Sequence, residues 1–322
     1  MLYLNSQAIT TVVTCDEMMD AVDQAMEAYE AKAYTMPERM NEPCGVGNIL
    51  LLVPCIAGDY MVTKVLTLYP DNRAVEKPVI QATVMLADSR TGTPLAIMEG
   101  GTITAMRTGA VSGSSIRHLA KKEADSVGLV GCGVQGFYQL KYACAARNIR
   151  KMSLFDMSLE NILFLSEKLK SDYPDIEIIT AESTEKLIDE SDIIITATTA
   201  RNPVLPDIPE LFAGKHFIAV GSFEPEVREY PDAVFKQSSQ VWVDIDYAKE
   251  ESGEILIPLK EGILKEEQIL TLGRFIRSGA EPDKGESGTT FFKTVGMALF
   301  DLAAAQVIYE SAKDRGMGQL LG

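Results

Sequence analysis

The chain has 322 residues, 46% of them hydrophobic, an ordinary globular composition at a length that suggests two domains. Its 46 Asp and Glu against 30 Lys and Arg leave a net charge of −16 and a pI of about 4.7, which argues against a nucleic-acid partner, since phosphate contacts need clustered cations. No run approaches the roughly 18 apolar residues of a membrane span, and the start, Met-Leu-Tyr-Leu-Asn-Ser, lacks the basic region and apolar core of a signal peptide, so neither membrane nor secretion is expected.

In chain order, Cys15 to Tyr34 carries Met18, Met19, Val22, Ala25, Met26 and Tyr29 at helical spacing, with Asp16 near the expected N-cap. A loop bearing Arg39 follows. Strand patterns come next at Ile49 to Val53, Tyr60 to Leu68, Val79 to Ala87 and Leu95 to Met98, separated by turn residues and reading as an antiparallel sheet. Within Tyr60–Leu68 the alternation puts Lys64 on the face of Val62 and Leu66, so this lysine is either at an edge or buried for a purpose. Ile103 to Leu119 reads as a helix with Thr102 as its cap. Arg107 lies among small residues on it (Thr108, Gly109, Ala110, Ser112), where a surface ion pair and a buried guanidinium are both open readings.

From Val127 to Val243 the period changes. Short Ile/Val/Ala runs alternate with helical segments, the signature of a parallel sheet covered on both faces. The first of these strands turns at Ser126 to Gly136 through Gly131, Gly133 and Gly136, a G-x-G-x-x-G pattern. The first glycine allows a tight turn, the second lets a pyrophosphate approach the backbone, and the third lets helix and strand pack closely. The helix start then offers free N–H groups to phosphates. The next strand ends at Asp156, 20 residues after Gly136, where a carboxylate would hold the adenosine ribose. Ligands of such sheets sit at the carboxyl ends of strands, which draws attention to Thr196–Thr199 and Gly221–Pro225. Glu250 to Gly288 reads as peripheral and helical, and Thr289 to Arg315 as one long amphipathic helix. The five cysteines (Cys15, Cys44, Cys55, Cys132, Cys144) are scattered and read as thiols of a reducing cytoplasm; His118 and His216 alone supply metal or triad chemistry poorly, so no metal is expected.

Together, several segments resemble the ornithine cyclodeaminase/mu-crystallin family. They are Arg39; Lys64-Val-Leu-Thr-Leu-Tyr-Pro; Leu86 to Ala96; Thr104-Ala-Met-Arg-Thr-Gly-Ala-Val111; Val130-Gly-Cys-Gly-Val-Gln135; and Thr294-Val-Gly-Met-Ala-Leu-Phe-Asp301. The resemblance implies an α/β fold: an α+β substrate-binding and dimerisation domain over residues 1–121, completed by a C-terminal helix within 290–322, plus a Rossmann dinucleotide-binding domain over 122–289. It places substrate-carboxylate residues at Arg39, Lys64 and Arg107, with Lys64 and Arg107 catalytic and Val295 against the substrate. It lays Gly131, Gly133, Val134, Gln135, Gly136, Asp156, Thr198, Thr199, Ser222 and Thr294 along a nicotinamide dinucleotide.

Two departures bear on the reaction. Phe223 stands where ornithine cyclodeaminases carry an aspartate that acts on the substrate amine, and Leu51 replaces a second acid. Both losses leave a diamino-acid side chain without carboxylate partners, and an unpartnered buried ammonium is costly. The expectation is therefore an NADH-dependent reductase of a cyclic or acyclic imino acid, with Δ1-pyrroline-2-carboxylate to L-proline first. Ornithine cyclodeaminase, alanine dehydrogenase and a non-catalytic mu-crystallin-like binding protein are the alternatives. Asp156 followed by Met157, where users of NADPH tend to carry an arginine, predicts NAD(H) over NADP(H). A cytoplasmic homodimer is expected.

Overall fold

The computed structural model describes residues 1–322, the side chain of Arg73 excepted. In order, the chain runs β1 (Leu2–Leu4), α1 (Ser6–Val12), α2 (Cys15–Glu30), β2 (Met40–Pro43), β3 (Ile49–Ala57), β4 (Tyr60–Leu68), β5 (Ile80–Asp88), β6 (Pro94–Glu99) and α3 (Gly100–Leu119). It continues through β7 (Ser126–Val130), α4 (Val134–Ala146), β8 (Lys151–Phe155), α5 (Leu159–Asp172), β9 (Glu177–Thr180), α6 (Thr184–Asp189), β10 (Ile193–Thr196), β11 (His216–Ala219), α7 (Asp232–Gln237) and β12 (Val241–Val243). The last elements are α8 (Ala248–Glu251), α9 (Gly253–Lys260), β13 (Ile269–Thr271), α10 (Leu272–Ser278), β14 (Thr290–Lys293), α11 (Ala298–Asp314) and β15 (Gln319–Leu320). Two compact units result, Met1–Arg107 with Met297–Gly322, and Thr108–Gly296. The division falls inside α3 and just before α11, whereas the resemblance implies boundaries at 121/122 and 289/290.

The first unit is built on a sheet of order β15-β1-β6-β5-β4-β3-β2, antiparallel except where β1 runs parallel to β6. Alternation along β4 and β5 buries Val62, Lys64, Val84 and Leu86 on one face. Helix α2 begins with a capping box in which Thr14 and Glu17 satisfy each other's backbone, so the cap is Thr14, two residues before Asp16. Its methionine stripe, Met18, Met19 and Met26, is wholly buried as core.

The second unit holds an all-parallel sheet of order β13-β12-β14-β11-β10-β7-β8-β9. Ile193, Ile194 and Ile195 of β10 are all fully buried, as a strand covered on both faces requires. The strand order reverses between β7 and β10, which is where doubly wound sheets open a ligand crevice.

Three expectations change. Thr289 to Arg315 is not one helix: Thr290–Lys293 is the buried strand β14, and α11 starts at Ala298. The four-residue spacing of Phe291, Val295 and Leu299 imitates a helix, but Gly296 at φ +77° breaks the run. Helix α3 is capped by Glu99 rather than Thr102, its carboxylate accepting from the N–H groups of Gly101 and Thr102, both at 2.7 Å. The 250–288 segment is only partly peripheral, since Glu254 and Ile255 are fully buried and β13 extends the sheet.

Candidate functional site

In the first unit, Lys64 sits mid-strand on β4, opposite Val53 of β3 and Val84 of β5, and is 5% exposed. It is buried, and for a purpose: its Nζ lies 2.6 Å from Asp301 Oδ2. Arg107, buried on α3, donates from Nε to the other oxygen of the same carboxylate at 3.1 Å. Asp301 is carried back to this unit on α11 and is 1% exposed. Arg39 is exposed on the preceding loop, within electrostatic reach of Lys64. Leu51 pairs with Leu66 of β4 and so shares the face of Lys64.

The electrostatics of the cluster are one-sided. Burial is the strongest influence on Lys64 and holds its ammonium below the ordinary lysine range; Asp301 pulls it up, while Arg107 and Arg39 push with burial. Burial alone would raise the Asp301 carboxyl, but Lys64 and Arg107 together hold it below the usual carboxylate range. One carboxylate thus serves two buried cations with a third nearby. Such a cluster has positive charge to spare and favours a small anion, a carboxylate above all, which guanidinium groups bind in a planar two-point fashion.

In the second unit, the glycine turn has the geometry each glycine requires. Gly131 takes φ +103°, and a Cβ there would lie 2.5 Å from the Ala197 carbonyl oxygen. A Cβ on Gly136 would lie 2.5 Å from the Gly131 carbonyl oxygen. Above Gly133, at the N-cap of α4, nothing lies within 4 Å of an added Cβ, so the backbone is open to an approaching group. Val134 is exposed beside it, and the side-chain oxygen of Gln135 is buried without a hydrogen-bond partner. Asp156 fixes the turn, its Oδ2 accepting from Cys132 N at 2.7 Å and its Oδ1 from Ser158 N at 2.8 Å. An open N-terminal cradle, an unpaired amide oxygen and a carboxylate at the next strand end suit a dinucleotide. Burial pushes the Cys132 thiol up to about 12, so it is no nucleophile.

The remaining sequence candidates line the carboxyl ends of β10, β11 and β14. Thr198 donates from both N and Oγ1 to Glu229 Oε1 at 2.8 Å, and Thr199 beside it is exposed. Ser222 is buried and donates to Glu254 Oε2 at 3.0 Å. Thr294 Oγ1 donates to Asp244 Oδ2 at 2.7 Å, and the N–H groups of Val295 and Gly296 reach the same oxygen at 3.0 and 2.7 Å. Val295 packs on the core of this unit. Sequence reasoning passed over the acids Asp301, Glu229, Asp244 and Glu254. Asp301 left one trace, an acid set between Leu299 and Leu302 in an otherwise apolar helix. Phe223 is 61% exposed after β11. His216 is fully buried between Ser115 and Thr290, and burial lowers it to about 3, which marks a neutral structural imidazole. Among the described residues, no group of three His, Cys, Asp or Glu could hold a metal, and no helix is long and apolar enough to cross a membrane.

The family model described as the ornithine cyclodeaminase/mu-crystallin family matches residues 2–316, and the chain belongs to that family. A Delta(1)-pyrroline-2-carboxylate reductase of Bacillus cereus is 32% identical over 324 residues, covering 99% of each chain. The solved Delta(1)-pyrroline-2-carboxylate reductase of Thermococcus litoralis, in complex with NADH and L-proline, superposes with a TM-score of 0.91 at 33% identity over 100% of both chains. An archaeal alanine dehydrogenase dimer with bound NAD gives a TM-score of 0.88 at 26% identity, over 100% of this chain and 98% of that one.

Proposed function

We propose that this member of the ornithine cyclodeaminase/mu-crystallin family is an NAD(H)-dependent imine reductase that converts Δ1-pyrroline-2-carboxylate to L-proline. The observation that carries the reading is the buried Lys64–Asp301–Arg107 cluster, whose surplus of positive charge suits one small carboxylate. Its relatives of known structure and name include reductases of that imino acid, one of them holding NADH and L-proline.

In this reading Arg107 and Arg39 hold the substrate carboxylate. Gly131, Gly133, Val134, Gln135, Gly136 and Asp156 hold the adenosine and pyrophosphate half of the dinucleotide, and the loops of Thr198, Thr199, Ser222 and Thr294 hold the other half, with Val295 against the substrate. Bound NADH supplies a hydride for the C=N carbon. Protonation at the imine nitrogen makes that carbon electrophilic, and Lys64 Nζ is the proton donor or a further anchor of the carboxylate. Its desolvation suits the first role, because an ammonium with a lowered pKa gives up a proton more readily. Asp301 opposes the loss of charge and keeps the ammonium populated.

Asp156 with the exposed Met157 favours NAD(H) over NADP(H), since a carboxylate repels a 2′-phosphate and binds a free 2′-hydroxyl. Leu51 on the Lys64 face and Phe223 after β11 weigh against ornithine, whose distal ammonium would find no acid at either place. A homodimer in the cytoplasm is the fitting assembly. The sheet face opposite Lys64 carries Ile56, Val65 and Met85, each 40% or more exposed, an apolar surface suited to a second copy. No cysteine of the described residues is in a disulfide.

A substrate panel followed at NADH absorbance tests the reading. NADH consumption with Δ1-pyrroline-2-carboxylate should exceed that with pyruvate plus ammonia, and ornithine should release no ammonia. Rapid ammonia release from ornithine, or alanine oxidation as the fastest reaction, would replace the proposal with the corresponding activity.

A further inference from the structure

Glu229 follows β11 on the loop before α7 and is fully buried. All of its side-chain bonds are spent on two neighbouring strand ends. Its Oε1 accepts from Thr198 N and Thr198 Oγ1, both at 2.8 Å, in the loop after β10. Its Oε2 accepts from Thr196 Oγ1 at 2.7 Å, the last residue of β10, and from Gly221 N at 2.8 Å, in the loop after β11. Gly221 is suited to this approach: an added Cβ would overlap the Thr198 carbonyl oxygen and lie 2.6 Å from Glu229 Oε1. A buried carboxylate is therefore stitched between the two loops.

The surroundings are equally committed. Glu254 Oε2 accepts from Glu229 N at 2.8 Å and from Ser222 Oγ at 3.0 Å, which fixes the stem of Glu229 and the second loop together. Lys293 of β14, also fully buried and within electrostatic reach of Glu229, Glu254 and Asp244, supplies the countercharge. Burying three acids at one end of a sheet is expensive unless their bonds fix something. What they fix is the rim at the carboxyl ends of the strands next to the order reversal. In a doubly wound sheet the second mononucleotide half, which here begins at β10, receives the second nucleotide of the dinucleotide.

We propose that Glu229 is a positioning residue of the cofactor site: its two oxygens clamp the loops after β10 and β11 in the shape that receives the nicotinamide half. The proposal rests on the NAD(H) reading. The geometry makes it sharp, because each oxygen faces one backbone N–H that cannot turn round. In Glu229→Gln the amide NH2 must confront either the Thr198 N–H or the Gly221 N–H, so one loop is released whichever way the amide points.

The test compares NADH with ADP-ribose, which carries the adenosine half and no nicotinamide, by calorimetric titration of E229Q and T196V beside the wild type. E229Q should weaken NADH on the order of tenfold, the effect of leaving one buried donor unsatisfied, with ADP-ribose changed less than twofold. T196V deletes one hydroxyl bond to Glu229 without opposing any N–H, and should show the same selectivity at about threefold. Unchanged NADH affinity in E229Q, or equal loss of both ligands, overturns the proposal. If E229Q fails to fold, T196V decides alone: selective weakening of NADH supports the clamp and equal affinities remove it. Wild-type protein that binds neither ligand would instead overturn the cofactor reading itself.

Discussion

Asp301→Asn separates an acid that merely packs from one that sets the charge of the site. Both oxygens of Asp301 are in use, one on Lys64 Nζ at 2.6 Å and one on Arg107 Nε at 3.1 Å. Asparagine is the same size, so no cavity forms, but its NH2 must face one of two cationic donors. Removing one partner of a buried ion pair costs about 3–5 kcal/mol. At roughly 2–4 °C per kcal/mol for a unit of this size, Tm should fall by about 6–20 °C. The effect on chemistry has a definite sign. Burial already holds the Lys64 ammonium below its ordinary range, and Asp301 is the chief group opposing it. Without that carboxylate Lys64 loses its proton at lower pH. If charged Lys64 is needed, the alkaline limb of the kcat/KM profile moves to lower pH, and kcat/KM at neutral pH falls on the order of a hundredfold. The assay is NADH oxidation with Δ1-pyrroline-2-carboxylate between pH 6 and 10, on protein shown to be folded at the assay temperature. A lowered Tm with an unmoved alkaline limb and kcat/KM within threefold of wild type would refute the argument and leave Asp301 a packing residue.

Replacing Lys64 with Met should lower kcat/KM by on the order of a hundredfold or more if it donates the proton, and an unchanged rate removes it from the mechanism. Measured kcat/KM should favour NADH over NADPH, and Asp156→Ser with Met157→Arg should reverse the preference; a wild-type preference for NADPH would contradict the role given to Asp156. Gly133→Ala should fold with unchanged Tm, since nothing lies within 4 Å of the added Cβ, yet lose NADH affinity about tenfold as the methyl blocks the pyrophosphate. Gly131→Ala should lose stability first, because φ is +103° and Ala197 O crowds the new Cβ. His216 is neutral in the fold down to about pH 3 and charges in the unfolded chain near 6.5. The unfolded state therefore binds more protons between those values, and stability falls on acidification, by about 2 kcal/mol between pH 6.5 and 5. Tm against pH for His216→Gln should lose that part of the slope; an identical slope would show that His216 is not its source.

The parallel sheet was legible because runs such as Ile193–Ile195 are apolar at every position, which only a strand buried on both faces tolerates. The glycine turn was legible because its three positions leave no room for a side chain or must stay open. Strand β14 was not. Thr290–Lys293 is four residues long, ends in a buried lysine and runs into a segment with helical spacing, so periodicity assigned it to α11. The cations Lys64 and Arg107 were noticeable as charges on apolar or small-residue faces. Their partner was harder to find, because Asp301 lies 237 positions from Lys64 and no local pattern links a strand of the first sheet to the C-terminal helix. Glu229, Asp244 and Glu254 escaped for a related reason: their partners are backbone N–H groups, which leave no mark in a sequence, and hydroxyls 31 to 50 positions away.

The two places where the chain passes between units also explain why those acids matter. Helix α3 crosses at Arg107 and Thr108, so the guanidinium proposed to hold the substrate carboxylate is the last residue of the first unit. The return crossing follows Gly296, and Asp244 Oδ2 gathers Thr294, Val295 and Gly296 immediately before it. Asp301 stands five residues later on α11. Both covalent links are thus bordered by residues held by a buried carboxylate, Arg107 by Asp301 and the 294–296 segment by Asp244. A substitution at either acid therefore disturbs the end of a crossing as well as a group proposed to bind substrate or cofactor. Asp244→Asn makes the point sharply. Its Oδ1 accepts from Ile245 N at 3.0 Å while Oδ2 takes three donors, so the amide NH2 opposes an N–H in either orientation. Its effect should appear in NADH affinity and in kcat/KM for the imine together, whereas Glu229→Gln should act on NADH affinity first. A variant of Asp244 that weakened only one of the two would break this link between the crossing and the site.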